Sequence, residues 1–151
     1  IRFGRPDSPD FTEKKPFTIG KADTLRNGND ITLIGTGIMM YKVLQAAELL
    51  AKDGINARVL GMPTIKPIDR EAIEKASRET GAILTAEEHQ ITAGLGSAVA
   101  EVVVNTHPCP MTFVGINDRF GETGEPDELF EYFHLMPTEI AARAKGLLQR
   151  K

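Results

Sequence analysis

Short apolar runs alternate along the chain with segments in which apolar residues recur at helical spacing. The runs have the length and composition of strands, and they cover residues 31–34, 57–62, 82–86 and 111–116, while residues 22–26 are a short extended candidate before the first of them. After the run 31–34, apolar residues recur three or four positions apart from Val43 to Leu50, and Gly54 supplies a C-terminal cap. Because parallel strands need helical crossovers, this alternation predicts an α/β sheet that is covered on both faces.

Residues with capping propensity mark where the predicted helices begin and end. Asp69 is a good N-cap for a helix that ends at Gly81, and Ile68 and Ile73 have the spacing of a hydrophobic staple around that cap. Thr138 is the predicted N-cap of the last helix. One face of this helix is apolar and consists of Ile140, Ala144, Leu147 and Leu148.

Two glycine-rich turns lie between a predicted strand and a predicted helix. Gly35-Thr36-Gly37 follows the run 31–34, and Gly94-Leu95-Gly96-Ser97 leads into a helix over residues 98–104. Both turns are similar to the start of a dinucleotide-binding fingerprint, but Met40 and Val99 occupy the place of its third glycine. We therefore interpret both as close-packed turns, although free backbone N–H groups after the first turn could hold an anion.

Glu87-Glu88-His89 is the most concentrated group of titratable residues and comes directly after the run 82–86. Strand C-termini are where α/β sheets place ligands. A carboxylate beside an imidazole could perform acid–base chemistry or could stabilise a domain interface, and we favour the interface. His107 and His134 have no partner at metal-ligand spacing, and the acidic run over residues 122–131 is interpreted as a solvated face.

Composition excludes several classes of function. The 151 residues have a formal net charge of -3, which gives no global reason to bind nucleic acid or an anionic membrane. No apolar run approaches the roughly 18 residues of a membrane span. The single cysteine, Cys109, excludes an intrachain disulfide and fits a reducing compartment, so we expect a cytoplasmic protein. The common nucleotide, hydrolase, zinc and dithiol motifs are missing, and no catalytic or metal-binding residue is assigned.

The chain is long enough for one sizeable core and therefore for one domain. Residues 1–16 contain three prolines among mixed charges, and they predict a linker or arm that enters a domain over residues 17–151. The chain begins with Ile1 and has no signal-like apolar segment, so we expect a processed product or an excised piece of a longer protein.

Five segments of the chain, taken in order, resemble the C-terminal domain of transketolase. They are Arg2-Phe3-Gly4-Arg5-Pro6, Ile65-Lys66-Pro67-Ile68-Asp69, Glu87-Glu88-His89, Gly94-Leu95-Gly96-Ser97-Ala98-Val99 and Asp118-Arg119-Phe120-Gly121-Glu122-Thr123-Gly124. No single segment is decisive. Five in the right order and at the right intervals make a specific resemblance that covers nearly the whole chain.

The resemblance implies a three-layer α/β/α domain with a five-stranded mixed sheet in the order 1-3-2-4-5, whose first strand is antiparallel to the rest. Asn27-Gly28, a hairpin-type turn signal by local sequence, would then join strands that are not neighbours. The same order places a topological switch point between Gly35-Thr36-Gly37 and the segment with Glu88 and His89. These five residues, Gly35, Thr36, Gly37, Glu88 and His89, form the predicted ligand or interface site.

For the complete enzyme, the resemblance implies transfer of a two-carbon ketol unit between sugar phosphates in the pentose phosphate pathway. Thiamine diphosphate and magnesium or calcium would be bound by preceding domains, because this chain has no G-D-G motif and no residue that matches the catalytic glutamate. The chain itself would be non-catalytic. Its expected roles are contact with those domains, assembly of a homodimer and binding of a regulatory ligand.

Two alternative assignments stay open at this stage. Related domains close the beta subunits of 2-oxoacid dehydrogenases and the deoxyxylulose phosphate synthases, but their pattern usually departs from Glu87-Glu88-His89. The other alternative is an autonomous module that binds a small ligand in the switch-point crevice.

Overall fold

Ten strands and helices follow one another along the part of the chain that the computed structural model describes, which comprises residues 9–12 and 16–151. The elements are β1 (Asp23–Arg26), β2 (Ile31–Gly35), α1 (Met39–Lys52), β3 (Ala57–Gly61), α2 (Arg70–Thr80), β4 (Ile83–Gln90), α3 (Leu95–Asn105), β5 (Met111–Ile116), α4 (Pro126–Tyr132) and α5 (Pro137–Leu148). The predicted α/β class is confirmed. The Arg2-Phe3-Gly4-Arg5-Pro6 segment and most of the predicted arm lie outside the described residues.

The strands form one sheet in the order β1-β3-β2-β4-β5. β1 pairs antiparallel with β3, and the remaining neighbours pair in parallel. The order implied by the resemblance is therefore confirmed. Asn27-Gly28 joins β1 to β2 across the start of β3, where the N–H groups of Asn29 and Asp30 both donate to the Asn56 carbonyl.

Two apolar layers enclose the sheet, because successive strand residues point to opposite faces. In β2, Leu33 packs into the layer formed with α1 and α5, whereas Ile34 packs into the layer formed with α2 and α3. All five residues of β2 are buried, as expected for a central strand of a parallel sheet. The helices after β2 and after β4 thus cover different faces, which creates the switch point at the carboxyl ends of these strands.

Three predicted boundaries differ from the observed ones. β4 continues through Glu87-Glu88-His89 to Gln90, because its pairing with β5 extends to the Gln90–Ile116 position. α3 begins at Leu95, so the predicted turn already contains its first helical residues. The N-cap assigned to Thr138 is wrong: α5 begins at Pro137, whose fixed φ suits the first helical position, and this places Thr138 inside the helix.

Asp69 is the N-cap of α2 as predicted, and its carboxylate has a second role. One oxygen accepts a hydrogen bond from Ala72 N at 3.1 Å, and the other accepts one from Ala22 N at 2.9 Å. Ile68 and Ile73 belong to the same apolar cluster, as the staple requires, and Gly81 ends the helix with a φ of 63°. Asp69 therefore connects the start of α2 to the start of β1.

Replacing Asp69 with alanine should lower the free energy of unfolding by about 2 kcal/mol, because a cap is lost and the Ala22 N–H loses its acceptor. Asp69→Asn retains an oxygen acceptor and should lose less. Urea denaturation of the three proteins measures the difference. Equal midpoints and slopes for Asp69→Ala and the unaltered chain would contradict the assignment.

Candidate functional site

The carboxyl ends of β2 and β4 lie side by side at the switch point. Gly35 is paired with Ala86, and the Thr36 N–H donates to the Ala86 carbonyl at 3.3 Å. The structure therefore brings together the two segments that the sequence singled out, Gly35-Thr36-Gly37 and the end of β4.

The turn at residues 35–37 is tightly packed against the start of α1. A Cβ atom on Gly35 would lie 2.7 Å from the Met39 carbonyl oxygen and 2.9 Å from the Met40 Cα. The N–H groups of Met39 and Met40 donate to the carbonyls of Thr36 and Gly37, at 3.1 Å each. This geometry favours a packing turn over an anion site, since these first helical N–H groups already have acceptors within the turn.

Glu87 holds the start of α3 from within the protein. Its side chain is only 1% exposed, and its two oxygens accept hydrogen bonds from Leu95 N at 2.7 Å and from Gly96 N at 2.9 Å. The N-cap residue of α3 is Gly94, which has no side chain to accept these bonds. A carboxylate here also suits the positive end of the helix dipole. Glu87 thus does for α3 what a capping side chain does for other helices.

Glycines allow Glu87 and α3 to approach each other and the sheet. A Cβ atom on Gly94 would overlap the Glu87 carboxylate, and one on Gly96 would lie 2.5 Å from the Phe113 ring. The predicted close backbone approach at this turn is confirmed. A nucleotide diphosphate has no access to these helical N–H groups, because the Glu87 carboxylate occupies them.

The acid–base pair suggested by Glu87-Glu88-His89 is not formed as a solvent-facing pair. His89 is 55% exposed, and its Nδ1 lies 3.9 Å from the nearer Glu87 oxygen and 2.9 Å from the Gln90 carbonyl. Burial raises the pKa of the Glu87 carboxyl, while the hydrogen bonds from Gly96 and Leu95 and the nearby His89 lower it. Since both Glu87 oxygens already accept N–H groups, the geometry favours a structural role for Glu87.

Glu88 and His89 therefore face outward at the end of β4, while Glu87 faces the core. The Gln90 side chain connects the end of β4 to the loop after β5, since its amide donates to the Arg119 carbonyl at 2.8 Å. Sequence reasoning treated Glu87 as titratable and missed its role at α3. Strand alternation carries the signal, because Glu87 shares a strand face with Ile83, which packs in the α2/α3 layer.

The remaining candidates supply no reactive site. His107 is partly buried beyond the end of α3, and His134 is exposed after α4. Burial raises the pKa of the Cys109 thiol, which disfavours the reactive thiolate form. Within residues 9–12 and 16–151, no group of three or more His, Cys, Asp or Glu side chains could hold a metal ion. The acidic residues between 122 and 131 are exposed, as predicted.

No helix in the described part of the chain is both long enough and apolar enough to cross a membrane.

Comparison with known proteins gives the same assignment along almost the whole chain. The family profile described as "Transketolase, C-terminal domain" matches residues 20–140. The chain is 46% identical over 140 residues to the 6-deoxy-6-sulfo-D-fructose transketolase subunit of Clostridium sp. (strain MSTE9), a match that covers 93% of this chain and 44% of that protein. It is 36% identical over 138 residues to the 1-deoxy-D-xylulose-5-phosphate synthase of Acaryochloris marina, covering 91% of this chain and 22% of the synthase.

A solved structure agrees in fold as well as in sequence. A split-gene transketolase described as an inactive β4 tetramer superposes with a TM-score of 0.92 and 42% identity, over 96% of this chain and 48% of that chain. The chain thus spans less than half the length of the relatives that it matches.

Proposed function

The chain belongs to the transketolase C-terminal domain family, and from this membership we propose that it forms the C-terminal part of an enzyme that transfers a two-carbon ketol unit between sugar phosphates in the pentose phosphate pathway. The observation that carries the proposal is the match over more than nine-tenths of the chain to a transketolase subunit and to a split-gene transketolase. In the whole enzyme, thiamine diphosphate with magnesium or calcium supplies the carbanion chemistry.

The described residues do not fit thiamine diphosphate, so we place its binding on other domains of the enzyme. A diphosphate and its metal require carboxylate or carbonyl ligands and N–H groups without acceptors. At the switch point, the N–H groups of Leu95 and Gly96 are occupied by Glu87, and those of Met39 and Met40 by the turn before α1. No metal-binding cluster of acidic or imidazole side chains exists elsewhere in the described chain.

We assign to this domain a role in assembly, with the preceding transketolase domains and a second subunit as its partners. The exposed side chains of Glu88 and His89, beside the Thr36-Gly37 turn, support an interface site at the switch point. The domain comprises residues 17–151, with residues 1–16 as the arm that enters it. The lone cysteine, which has no partner for a disulfide within the chain, supports a cytoplasmic location.

A deoxyxylulose phosphate synthase is the second candidate, favoured by the 36% identity to one such enzyme. Both candidates use this chain as a C-terminal domain, and they differ in the donor of the two-carbon unit. Rate measurements on the whole enzyme with a ketose phosphate or with pyruvate as donor distinguish them. The small-ligand module loses support, because the N–H groups that would hold an anion at the switch point are engaged within the protein.

The isolated 151-residue chain should show no ketol transfer and no saturable binding of thiamine diphosphate with magnesium. Titration calorimetry measures the binding, and the whole enzyme, with its preceding domains, is the positive control. Micromolar, saturable binding to the isolated chain would contradict the proposal. Absence of ketol transfer by the cofactor-loaded whole enzyme would contradict the assignment as a transketolase.

His89→Ala in the whole enzyme should reduce activity only through loss of the dimer or of bound cofactor, and excess cofactor should partly restore the rate. A proton-transfer residue would behave differently, since its removal typically lowers the rate about 100-fold to 10,000-fold whatever the cofactor concentration. Steady-state rates at saturating cofactor and sedimentation of the same samples separate the two roles. His107→Ala, beyond the far end of α3, is the control. A dimeric, cofactor-loaded His89→Ala enzyme with a rate reduced that far would make His89 catalytic.

A further inference from the structure

Exposed apolar side chains concentrate at one edge of the sheet. Six large hydrophobic side chains are exposed among the described residues, and four of them lie on loops at the carboxyl ends of the parallel strands. Phe17 and Ile19 precede the antiparallel β1 and are 64% and 68% exposed, Ile65 follows β3 and is 39% exposed, and Phe120 follows β5 and is 96% exposed. Single exposed apolar residues are common, but a concentration on one surface indicates an interaction site.

The two ends of this surface are held in place by hydrogen bonds. At the β1 end, Gly20 N donates to Thr64 Oγ1 at 2.8 Å, which fixes the segment with Phe17 and Ile19 beside the loop with Ile65. The bond from Ala22 N to Asp69 reinforces the same connection. This end is therefore preorganised for binding, which lowers the entropic cost of association.

The loop that carries Phe120 is also tied to the body of the domain. The Arg119 carbonyl accepts a hydrogen bond from the Gln90 amide, and its guanidinium donates to Tyr132 Oη at 2.6 Å while lying 5.0 Å from the centre of that ring. Phe120 follows Arg119 directly and projects into solvent. A nearly fully exposed phenylalanine on a fixed loop is suited to insert into a pocket of a partner, as aromatic hot-spot residues do.

The size of this surface points to a protein domain as its occupant. Four spacings between neighbouring strands separate β1 from β5, so the edge is about 19 Å wide. Its centre holds Thr36, Gly37, Glu88 and His89, and its apolar residues lie at the two ends. A small ligand in the crevice would leave both apolar ends in water, whereas a domain can cover them together with the polar centre.

The path of the N-terminal segment identifies which domain this is. The Phe11 ring lies 5.4 Å from the ring of Tyr41, in the first turn of α1, and residues 17–22 run past the end of β3. Phe11 and residues 17–22 therefore lie along the same edge of the sheet. In longer members of a family defined by a C-terminal domain, the preceding part of the polypeptide connects to that domain through its N-terminal segment. This connection keeps the preceding domain at high effective concentration beside the carboxyl edge of the sheet.

We propose that the carboxyl edge of the sheet is the surface on which the preceding transketolase domain packs, with Phe17, Ile19 and Ile65 as one contact and Phe120 as the other. The proposal rests on the proposed function for the presence of that domain. It assigns the switch point of this domain to the centre of an interface within the enzyme.

Cysteine labelling tests the proposal in a Cys109→Ser background, with Ile19→Cys and Phe120→Cys at the surface and Val104→Cys as the matched control. Val104 is 71% exposed on α3 and lies toward the opposite edge of the sheet. A maleimide should label positions 19 and 120 at least about tenfold more slowly in the whole enzyme than in the 151-residue chain, because well-packed apolar contacts exclude water from the side chains that form them. Position 104 should label equally in both proteins.

Hydrogen–deuterium exchange of the unaltered proteins is a second measurement of the same surface, and it does not depend on whether the variants fold. Residues 17–22, 62–68 and 117–124 should exchange more slowly in the whole enzyme than in the 151-residue chain. Equal labelling and equal exchange in the two proteins would overturn the proposal. Protection that appears in the isolated chain as its concentration rises, together with dimers in sedimentation, would assign the surface to a second copy and also overturn it.

The same samples distinguish this proposal from the proposed function. Protection in an enzyme without ketol transfer supports the docking surface and contradicts the transketolase assignment. Ketol transfer by an enzyme whose carboxyl edge labels freely supports that assignment and overturns the docking surface.

Discussion

Glu87→Ala should lower the free energy of unfolding by about 4 kcal/mol, the largest stability loss that we expect from any single side chain of the candidate site. The Glu87 carboxylate accepts both buried N–H groups at the start of α3, from Leu95 and Gly96. Its removal leaves two buried donors unpaired, and each such donor costs about 1–3 kcal/mol. Because these two hydrogen bonds hold the first turn of α3, that turn should also become more mobile in the variant.

Urea denaturation and hydrogen exchange of α3 measure this effect. Glu87→Gln retains one oxygen acceptor, but its amide group faces the second N–H, so we expect it to lose about half as much as the alanine variant. Glu101→Ala, an exposed glutamate on α3 itself, is the matched control and should stay within about 0.5 kcal/mol of the unaltered chain. A Glu87→Ala chain as stable as this control would show that the capping bonds contribute nothing.

The pH dependence of stability follows from the same buried carboxyl. Burial is the largest influence on Glu87 and raises its pKa in the folded chain above the value of the unfolded chain. Between those two values the folded chain binds more protons than the unfolded chain, so the contribution of Glu87 to the free energy of unfolding falls as pH rises. Glu87→Gln removes this contribution, and the stability difference between the two proteins should widen on acidification from neutral pH. A difference that narrows would contradict the direction of the shift.

Gly35→Ala should lower the free energy of unfolding by about 3 kcal/mol, because the added Cβ overlaps backbone atoms. The nearest atoms are the carbonyl of Met39, at 2.7 and 2.8 Å, and the Cα of Met40 at 2.9 Å. These belong to α1 and not to the end of a flexible side chain, so the helix itself would have to move away from β2.

Gly146→Ala is the control for Gly35→Ala, since Gly146 lies on the exposed side of α5 with no atom within 4 Å of its added Cβ. Alanine there should raise stability by up to about 1 kcal/mol through its helix propensity. Thermal denaturation of both variants gives the comparison. If Gly35→Ala is as stable as Gly146→Ala, the turn before α1 has free space, and a ligand close to its backbone becomes a tenable alternative.

The strands, the caps of α2 and the class of fold were predictable from short segments of sequence. Apolar runs of strand length marked β2 and β3, because burial on both faces of a parallel sheet leaves continuous apolar sequence. Asp69 and Gly81 marked α2, since each cap depends only on residues within one helical turn. The strand order came from the resemblance, as no local pattern states which strands are neighbours.

The predicted site residues meet at one edge of the sheet, but their sequence did not reveal which of them are buried and structural and which are exposed. Gly35 was correctly interpreted as a packing residue because a glycine between a strand and a helix commonly marks close approach. Glu87 was grouped with Glu88 and His89 by proximity along the chain. The structure separates them, since Glu87 is buried against the start of α3, whereas Glu88 and His89 are exposed at the end of β4.

The sequence by itself therefore determined the features that arise within a strand, a helix or a single turn: the buried runs, the α2 cap, the glycine turns and the lack of local catalytic motifs. Tertiary structure decided those that depend on contacts between separate elements. β4 extends to Gln90 because β5 pairs with it there, and Glu87 stabilises α3 through N–H groups eight and nine residues away. The gathering of exposed apolar residues at one edge likewise depends on the strand order, because it unites segments from residue 17 to residue 120 that no sequence window contains.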